Sequence, residues 1–335
     1  MMARLASDFV KKNYNIKIIQ YRPEAICYKL DENIEILNWH ACDNKYLNLI
    51  FNTIKLYKYL KNNTDIIIAF LNPIIISVSI VSFFVKNKIV VSERCDPCKS
   101  PGNYLRRKIR DYCFKKADFC VFQTQDAREY FSFIEEKKCK IIPNAISDDI
   151  IKNNAVVRQN KIVFVGQIIP QKNVKMLIDG FAKFCRIDNR YTLEVYGQGY
   201  QLESMKAYTK NKDLNDKIRF HGFVNNVLTE IEDASVYVST SDFEGISNSI
   251  LEAMALGLPV IATDCPIGGS RMLIQNEENG VLIPMNDSQA LCDALIKITS
   301  NPDFAHNLSK NAEKVKSIYA IEKISQMWLE NIKKC

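Results

Sequence analysis

Two glutamates, Glu244 and Glu252, stand eight positions apart around the start of a predicted helix. The residues between them include Ser247, Asn248 and Ser249, whose side chains favour the first positions of a helix. Backbone N–H groups at a helix start carry partial positive charge and suit a phosphate. A carboxylate on either side suits a ligand with a central phosphate and hydroxyls at both ends, such as a nucleotide-diphosphate sugar. By spacing alone, the simpler interpretation is an amphipathic helix with two solvated glutamates.

The stretch around these glutamates, residues 243–264, predicts a loop, a helix, a turn and a strand. The apolar side of the helix is formed by Ile250, Leu251, Met254 and Ala255. Gly257 is a good helix end and Pro259 prevents continuation. Residues 260–263 then predict a buried strand, so the helix start lies on a strand–loop–helix unit.

Three other clusters in the second half follow predicted strands: residues 166–173, 197–199 and 220–223. In the first, Gly166 allows close approach and Lys172 can neutralise a phosphate. The glycines of the second fail the dinucleotide fingerprint, because Leu202 stands where a third glycine is required. An NAD enzyme is therefore disfavoured. Carboxyl ends of parallel strands share one edge of a sheet, so we expect all four clusters to line one crevice.

The composition is that of a globular protein large enough for two domains. Of 335 residues, 47% are hydrophobic and 25% are charged. Residues 1–150 carry 24 lysines and arginines against 17 aspartates and glutamates, whereas residues 151–335 carry 21 of each. The net charge of +7 therefore belongs to the first half. This bias favours an anionic partner, such as a membrane surface, a phosphorylated lipid or nucleic acid, or it serves only solubility.

The 11 cysteines have no framework spacing, and Cys95–Cys98 is the one CxxC pair. With no second pair and no nearby histidine, neither a zinc site nor a disulfide scaffold is predicted, so we expect free thiols in a reducing cytoplasm. Residues 1–12 lack the apolar core of a signal peptide. Residues 66–85 contain no charge and have the length of a membrane span. Strand 66–70, helix 74–85 and strand 89–92 are the alternative interpretation.

Strands and helices alternate through the whole chain. The other predicted strands are 16–20, 34–37, 119–123, 140–142, 161–165, 192–196, 218–221, 236–239 and 280–284. The other predicted helices are 3–12, 44–61, 103–116, 127–133, 173–186, 200–211, 227–233 and 288–299, with closing helices over 305–332. The aperiodic segment 147–160 interrupts the alternation and predicts a linker. The fold class is therefore α/β, with two doubly wound Rossmann-like domains facing a cleft.

Two helices of the first half have notable patterns. Helix 44–61 carries Leu47, Ile50, Ile54, Leu56 and Leu60 as its apolar residues. Helix 103–116 is rich in lysine and arginine, and its apolar side is formed by Leu105, Ile109, Tyr112 and Cys113. A basic amphipathic helix can lie on an anionic membrane, or it can be a solvated face that packs on the core by its other side.

Several runs resemble the family 4 glycosyltransferases of the GT-B fold, in the subgroup that builds bacterial surface polysaccharides. In the second half they are KIVFVGQIIPQKNVKMLIDGF, RFHGFV, STSDFEGISNSILEAMALGLPVIATDCPIGG and NGVLIP. In the first half they are IVVSERCDP, ADFCVFQT and IIPNAI. The resemblance implies an acceptor-binding domain over 1–146, the linker 147–160, a nucleotide-sugar domain over 161–318, and a closing helix, 319–335, that packs back on the first domain.

The resemblance assigns roles to individual residues. Glu244 matches the glutamate that contacts the donor sugar, Glu252 matches the one that holds the ribose hydroxyls, and Lys172 matches the lysine that neutralises the leaving diphosphate. The remaining donor-binding positions are Gly166, Gln167, Gly197, Phe223, Gly245, Ile246, Ser247, Asn248 and Ser249. The family retains anomeric configuration and needs no metal or other cofactor. The donor is expected to be a UDP- or GDP-sugar.

The chain departs from the family pattern at three places. Gln167 stands where relatives usually have an arginine beside the phosphates, so Arg94 is a candidate compensating cation. Glu93 and Arg94 occupy the place of a histidine near the donor sugar. Relatives open with a strand and a Gly-rich loop before the helix 3–12, so the first sheet is expected to lack a central strand, through a mis-assigned start or a truncation.

The leading hypothesis is a hexosyl- or N-acetylhexosaminyltransferase. It would act on a lipid-linked or growing glycan, in the cytoplasm and peripheral on the inner face of the membrane, where its basic first domain contacts anionic lipid. Nucleic acid is not an expected partner. The alternatives are a truncated, non-catalytic nucleotide-sugar-binding remnant or subunit and an integral membrane protein that spans the bilayer through residues 66–85.

Overall fold

The computed structural model of the protein describes residues 1–21, 30–63, 65–146, 150 and 157–333. The chain forms two compact units, one of Met1–Ala145 with Ile321–Cys335 and one of Ile146–Ala320. The predicted linker, 147–160, lies largely outside the described residues. Its last two residues, Gln159 and Asn160, already belong to the first strand of the second unit.

The elements of the first unit alternate along the chain. Its strands are β1 (Lys17–Gln20), β2 (Glu35–Asn38), β3 (Ile67–Ala69), β4 (Ile89–Ser92), β5 (Phe119–Phe122) and β6 (Cys139–Ile141). Its helices are α1 (Met2–Lys11), α2 (Lys45–Leu60), α3 (Asn72–Val81), α4 (Tyr104–Lys116), α5 (Gln125–Tyr130) and, from the end of the chain, α14 (Ile321–Ile332). These six strands form two separate parallel sheets, a pair β1-β2 and a set β3-β4-β5-β6.

The uncharged segment 66–85 divides into β3, α3 and the turn before β4, which confirms the strand–helix–strand prediction. Pro73 occupies the first turn of α3, where its missing N–H costs no hydrogen bond. Among the described residues, no helix is long and apolar enough to cross a membrane.

Two helices of the first unit expose most of the apolar residues that the sequence pattern singles out. On α2 only Leu56 and Leu60 of the five are buried, and the helix packs with Asn48 and Asn52 instead. On α4 the packed residues are Arg110, Cys113 and Phe114, whereas Leu105, Ile109 and Tyr112 are exposed. Of the predicted apolar side of α4, only Cys113 is packed.

The second unit has one parallel sheet covered by helices. Its strands are β7 (Gln159–Val165), β8 (Thr192–Tyr196), β9 (Ile218–Gly222), β10 (Ala234–Ser239), β11 (Val260–Thr263) and β12 (Val281–Ile283). Its helices are α6 (Val174–Cys185), α7 (Leu202–Lys210), α8 (Val227–Ile231), α9 (Asn248–Ala255), α10 (Gly269–Leu273), α11 (Ser288–Thr299), α12 (Pro302–Ala312) and α13 (Val315–Ile318). The sequence pattern predicts all six strands, and α10 is the helix it misses, because five residues are too few for a periodic signal.

The strand order of this sheet is β12-β11-β10-β7-β8-β9. The order reverses between β7 and β10, which pair in parallel at the centre. In open α/β sheets, ligands bind beyond the carboxyl ends of the strands at this reversal. The buried core behind it includes Ile162, Phe164, Val236 and Val238 on these two strands. The loops after β7 and β10 are therefore where a site is expected.

Candidate active site

Lys172 and Glu244 meet beyond the carboxyl ends of β7 and β10. Lys172 ends a short 3-10 turn, Pro170–Lys172, after β7, and Glu244 lies in the loop between β10 and α9. Their side chains form an ion pair and are only 15% and 18% exposed. Ser241 Oγ also lies 3.4 Å from Glu244 Oε2 as a donor. Both residues are among the site residues predicted from the sequence, and the fold brings their side chains together.

The two loops that carry this pair are joined by hydrogen bonds. The backbone N–H of Asp242 donates to the carbonyl of Gln171 (2.8 Å), and Gln171 Nε2 donates to the carbonyl of Phe243 (2.9 Å). Thr240 Oγ1 donates to the carbonyl of Lys172 (2.9 Å). Because these bonds run in both directions, the backbone on each side of the ion pair is held in place.

Asn173 has the central place in this junction. Its φ of 46° is left-handed, a conformation that asparagine tolerates better than most residues. Its side-chain oxygen accepts from the N–H of Met176 and so caps α6, while Nδ2 donates to Asp242 Oδ1 (2.8 Å) and Asn286 Oδ1 (2.8 Å). Asn173 therefore connects the loops after β7, β10 and β12.

The loop after β11 supports the backbone next to Glu244. The N–H of Glu244 donates to the carbonyl of Pro266 (2.8 Å). A Cβ atom at Gly269 would lie 1.9 Å from the carbonyl oxygen of Gly245. Only glycine allows this approach, so the CPIGG sequence, which contains no charged group, acts on the site through packing.

Glycines after β7 and β8 bring two loops into backbone contact. Gly197 has a φ of 136°, and a Cβ there would lie 1.9 Å from the carbonyl oxygen of Gly166. The N–H of Gly166 donates to the carbonyl of Tyr196 (3.0 Å), and that of Gly197 donates to the carbonyl of Gly222 (2.7 Å). The structure thus brings Gly166 and Gly197 together at the carboxyl edge.

Two other predicted donor-site residues are displayed to solvent. Gln167 follows Gly166 and is exposed. Phe223 follows β9 and is 55% exposed. Contact of Gln167 and Phe223 with a ligand remains a prediction. Their exposed side chains can approach a molecule bound at the carboxyl edge of the sheet.

Helix α9 begins at the loop that carries Glu244. Gly245, Ile246 and Ser247 are buried, whereas Asn248 and Ser249 are partly exposed. The N-cap is Ser247, but within the described residues its side chain makes no capping hydrogen bond; it lies 3.0 Å from Ser249 Oγ instead. A helix start without a side-chain cap suits an anionic ligand.

Glu252 is buried and is the fifth residue of α9, just over one turn from its start and not the two turns that the sequence pattern indicates. It acts on a tyrosine that the sequence pattern does not single out. Tyr237 lies on β10, is fully buried, and donates to the carbonyl of Val165 (3.3 Å). Burial raises the pKa of Tyr237, and the carboxylates of Glu252 and Glu244 raise it further. The hydroxyl therefore stays protonated as a donor, and the charges of both glutamates act on it. A tyrosine in an apolar strand resembles ordinary core, which is why the pattern conceals it.

Cys265 is a second residue near Lys172 and Glu244 that the sequence analysis does not single out. Burial raises the pKa of its thiol to about 11, and the charge of Glu244 raises it while that of Lys172 lowers it. The thiol is neutral at physiological pH. It serves as a small packing residue behind the ion pair.

Arg94 lies in the first unit, whereas all the other candidate residues lie in the second. Its guanidinium stacks on Phe70 and Trp328, and Nη1 donates to Asn144 Oδ1 (3.0 Å). In the described part of the chain, its Nε and Nη2 are buried without a hydrogen-bond partner. Burial lowers the pKa of Arg94 to about 9, which leaves it charged at neutral pH. Its catalytic role remains a prediction.

Comparison with known proteins adds the family. Residues 146–315 match the model of the family described as glycosyl transferases group 1. An uncharacterised glycosyltransferase of Haemophilus influenzae is 24% identical over 330 residues, which cover 97% of this chain and 92% of the relative. A Campylobacter jejuni enzyme is 25% identical over 96% of this chain and 90% of its own length. Its name is GalNAc-alpha-(1->4)-GalNAc-alpha-(1->3)-diNAcBac-PP-undecaprenol alpha-1,4-N-acetyl-D-galactosaminyltransferase.

Solved structures agree on the fold. The Anabaena protein HepE, crystallised with UDP and glucose, superposes with a TM-score of 0.86 at 16% identity, over 100% of this chain and 95% of that one. At this identity the likeness concerns architecture alone. The fold is GT-B, as the sequence predicts.

Proposed function

The chain belongs to the group 1 glycosyl transferases, and we propose that it moves a sugar from a nucleotide-diphosphate sugar to a lipid-linked or growing polysaccharide acceptor with retention of configuration. The observation that carries this proposal is the Lys172–Glu244 ion pair beside the start of α9, at the strand-order reversal of the second sheet. The sugar is a hexose or an N-acetylhexosamine, in line with the activities of named relatives.

In this proposal, positive charge for the leaving diphosphate comes from the protein. Lys172 binds the diphosphate oxygens, and the backbone N–H groups at the start of α9 add the positive end of the helix dipole. Positive groups that are already in place where negative charge develops in the transition state make one of the largest contributions to catalysis. The chain's own cation and helix start supply this charge, so we propose a metal-independent reaction.

The two glutamates act at the two ends of the donor. Glu252, buried next to Tyr237, accepts hydrogen bonds from the ribose hydroxyls, and Glu244 contacts the donor sugar. The bond from the anomeric carbon to the diphosphate breaks on the face where the acceptor oxygen bonds to that carbon. The acceptor proton passes to a diphosphate oxygen. The result is front-face displacement, which retains configuration.

We propose a uridine or guanosine nucleotide as the donor and an undecaprenyl-linked glycan as the acceptor. UDP occupies the fold neighbour HepE, and the Campylobacter relative is named for an undecaprenol-linked acceptor. An acceptor of this kind is held by its lipid at a membrane. We therefore propose that the protein works on the cytoplasmic face of the membrane as a peripheral protein.

Gln167 favours a second candidate, a nucleotide-sugar-binding subunit without turnover. It is a neutral, exposed amide beside Gly166, at a position where the family resemblance implies an arginine. An amide can hydrogen-bond to a phosphate but cannot balance its charge. The test combines calorimetric titration with a donor and transfer assays that detect released nucleotide. Donor binding without nucleotide release would favour this second candidate.

The direct test of the main proposal is transfer from labelled UDP- and GDP-sugars to undecaprenyl-diphosphate-linked glycans, with NMR assignment of the new anomeric centre. The expected product has the donor's anomeric configuration. Inversion would refute the front-face mechanism. Binding of neither nucleotide would refute the donor assignment.

A further inference from the structure

Helix α2 packs with both apolar and polar residues, because Leu56 and Leu60 are buried together with two asparagines. Its packed side carries two buried asparagines: Asn48 Nδ2 donates to the carbonyl of Tyr21 (2.6 Å), and Asn52 Nδ2 donates to that of Trp39 (2.6 Å). Its outward side carries Leu47, Ile50, Phe51 and Ile54, each between 48% and 55% exposed. A surface helix normally turns its large apolar residues toward the core, so four exposed ones are unusual.

Helix α4 repeats the arrangement. Its packed side includes the fully buried Arg110, which is paired with Asp111 at 2.8 Å. Its outward side carries Leu105, Ile109 and Tyr112. Both helices thus have polar residues on their packed sides, beside the buried Leu56, Leu60, Cys113 and Phe114, and leave other aliphatic residues in water. The exposed apolar residues of α2 are spaced three and four positions apart and so share one face, and an exposed apolar face of this kind marks an interaction site.

A hydrogen bond connects the first turns of the two helices. Arg106 Nη2 on α4 donates to the hydroxyl of Tyr46 on α2 (3.1 Å). Lysines lie over the exposed tyrosine rings, Lys108 over Tyr104 and Lys116 over Tyr112. Amphipathic tyrosines and long basic side chains at the rim of an apolar patch are typical of the boundary between lipid and water.

Charge decides which partner suits this surface. The sequence of α2 contains no aspartate or glutamate, and the single acid of α4, Asp111, is held by Arg110. Basic residues on the outward sides include Lys55, Lys58, Lys115 and Lys116. An apolar surface bordered by lysines and arginines complements anionic lipid headgroups above acyl chains. A second copy of this chain would bring the same positive charge and be repelled.

We propose that Leu47, Ile50, Phe51, Ile54, Leu105 and Ile109, which we call the lipid-facing surface, dock on a membrane that contains anionic lipid. The apolar side chains enter the region between headgroups and acyl chains, while the lysines and arginines contact lipid phosphates. The biological use of this surface rests on the proposed function, because it would bring the enzyme to a lipid-linked acceptor. Binding of the surface to lipid does not depend on that function, so membrane binding and transferase activity can be tested separately.

The test is flotation of the full chain with phosphatidylcholine vesicles, with and without phosphatidylglycerol. The double variant Ile50→Ser with Phe51→Ser removes apolar groups from the lipid-facing surface. The matched control is Ile187→Ser with Tyr200→Ser, which changes two exposed residues of the second unit. Thermal unfolding and calorimetric UDP binding are measured for all three proteins to check that each is folded. Because neither pair of residues is buried, we expect both variants to unfold at the temperature of the wild type.

Wild type and control are expected to float with the anionic vesicles only, and less so at high salt. The lipid-facing variant is expected to lose at least about tenfold in partition, since each buried CH₂ group contributes about fourfold. Equal flotation of that variant, or no flotation of wild type, overturns the proposal. A wild-type dimer that this variant dissociates also overturns it, in favour of a second copy. If the wild type floats with anionic vesicles but does not bind UDP, the proposed donor site is wrong and the lipid-facing surface stands.

Discussion

Lys172 and Glu244, 72 positions apart in the chain, form an ion pair at the point where the strand order of the second sheet reverses. The loops that present them are hydrogen-bonded to each other through Gln171, Asp242 and Phe243. A diphosphate that binds here competes with Glu244 for the ammonium group of Lys172. Donor binding and release of Glu244 toward the sugar are therefore coupled in the proposed site.

Replacement of Lys172 by methionine is expected to reduce the transfer rate constant by about 100- to 1000-fold, because it removes a cation from the leaving group. Initial rates of nucleotide release measure this. Lys175→Met is the control, since Lys175 lies on the next helix, is 59% exposed and pairs with Asp179. Equal rates for the two variants would show that Lys172 does not stabilise the leaving group.

Glu252→Gln is expected to weaken nucleotide binding by about 10- to 100-fold, because hydrogen bonds to a charged group exceed those to a neutral one. Glutamine keeps the size of the side chain, so the unfolding temperature should change little. The readout is the calorimetric Kd for UDP and GDP, with Glu203→Gln on the exposed face of α7 as control. An unchanged Kd in Glu252→Gln would remove this residue from the site.

Gly269→Ala tests the packing of the loop after β11. The added Cβ would lie 1.9 Å from the carbonyl oxygen of Gly245, so the backbone at the start of α9 must move. A displacement of about 1 Å in a positioned site is expected to slow transfer by about 100-fold. Gly102→Ala, whose Cβ would have no neighbour closer than 3.9 Å among the described atoms, is expected to be neutral. Comparable activity of both variants would contradict the bracing role.

Glu93 predicts a pH dependence of stability. Its side chain is buried, and burial raises its pKa from 4.5 to about 7, against the opposing charge of Arg110. Between these values the folded protein keeps the proton that the unfolded chain has released, so the free energy of unfolding falls as pH rises. The loss is up to about 3 kcal/mol by pH 7.

Urea unfolding of wild type and Glu93→Gln from pH 5 to pH 7 measures this dependence. Glutamine keeps an oxygen for the N–H groups of Arg94 and Cys95, which donate to Glu93 Oε1 at 3.0 and 3.2 Å. The variant should lack the decline that wild type shows. Exposed Glu135→Gln is the control and should decline as wild type does. Parallel curves for wild type and Glu93→Gln would refute a raised pKa.

Helix α2 shows where sequence reasoning fails. Its length and boundaries follow from the pattern, but five apolar positions do not reveal which of them pack. The side chosen by the fold is set by Asn48 and Asn52, which find backbone carbonyls at Tyr21 and Trp39. Partners that lie elsewhere in the sequence leave no periodic signal in the helix itself.

Read alone, the chain predicts the alternating α/β order, because hydrophobic periodicity, helix caps and glycines are local properties. The GT-B fold and the roles of Lys172, Glu244 and Glu252 follow from the family resemblance, and those roles stay predictions. Tertiary structure decides that Lys172 pairs with Glu244, that both glutamates act on the pKa of Tyr237, and that Gly269 supports Gly245. It also decides which apolar residues of α2 and α4 are buried and which are exposed. These relationships depend on strand order and on burial, which join residues far apart in the sequence.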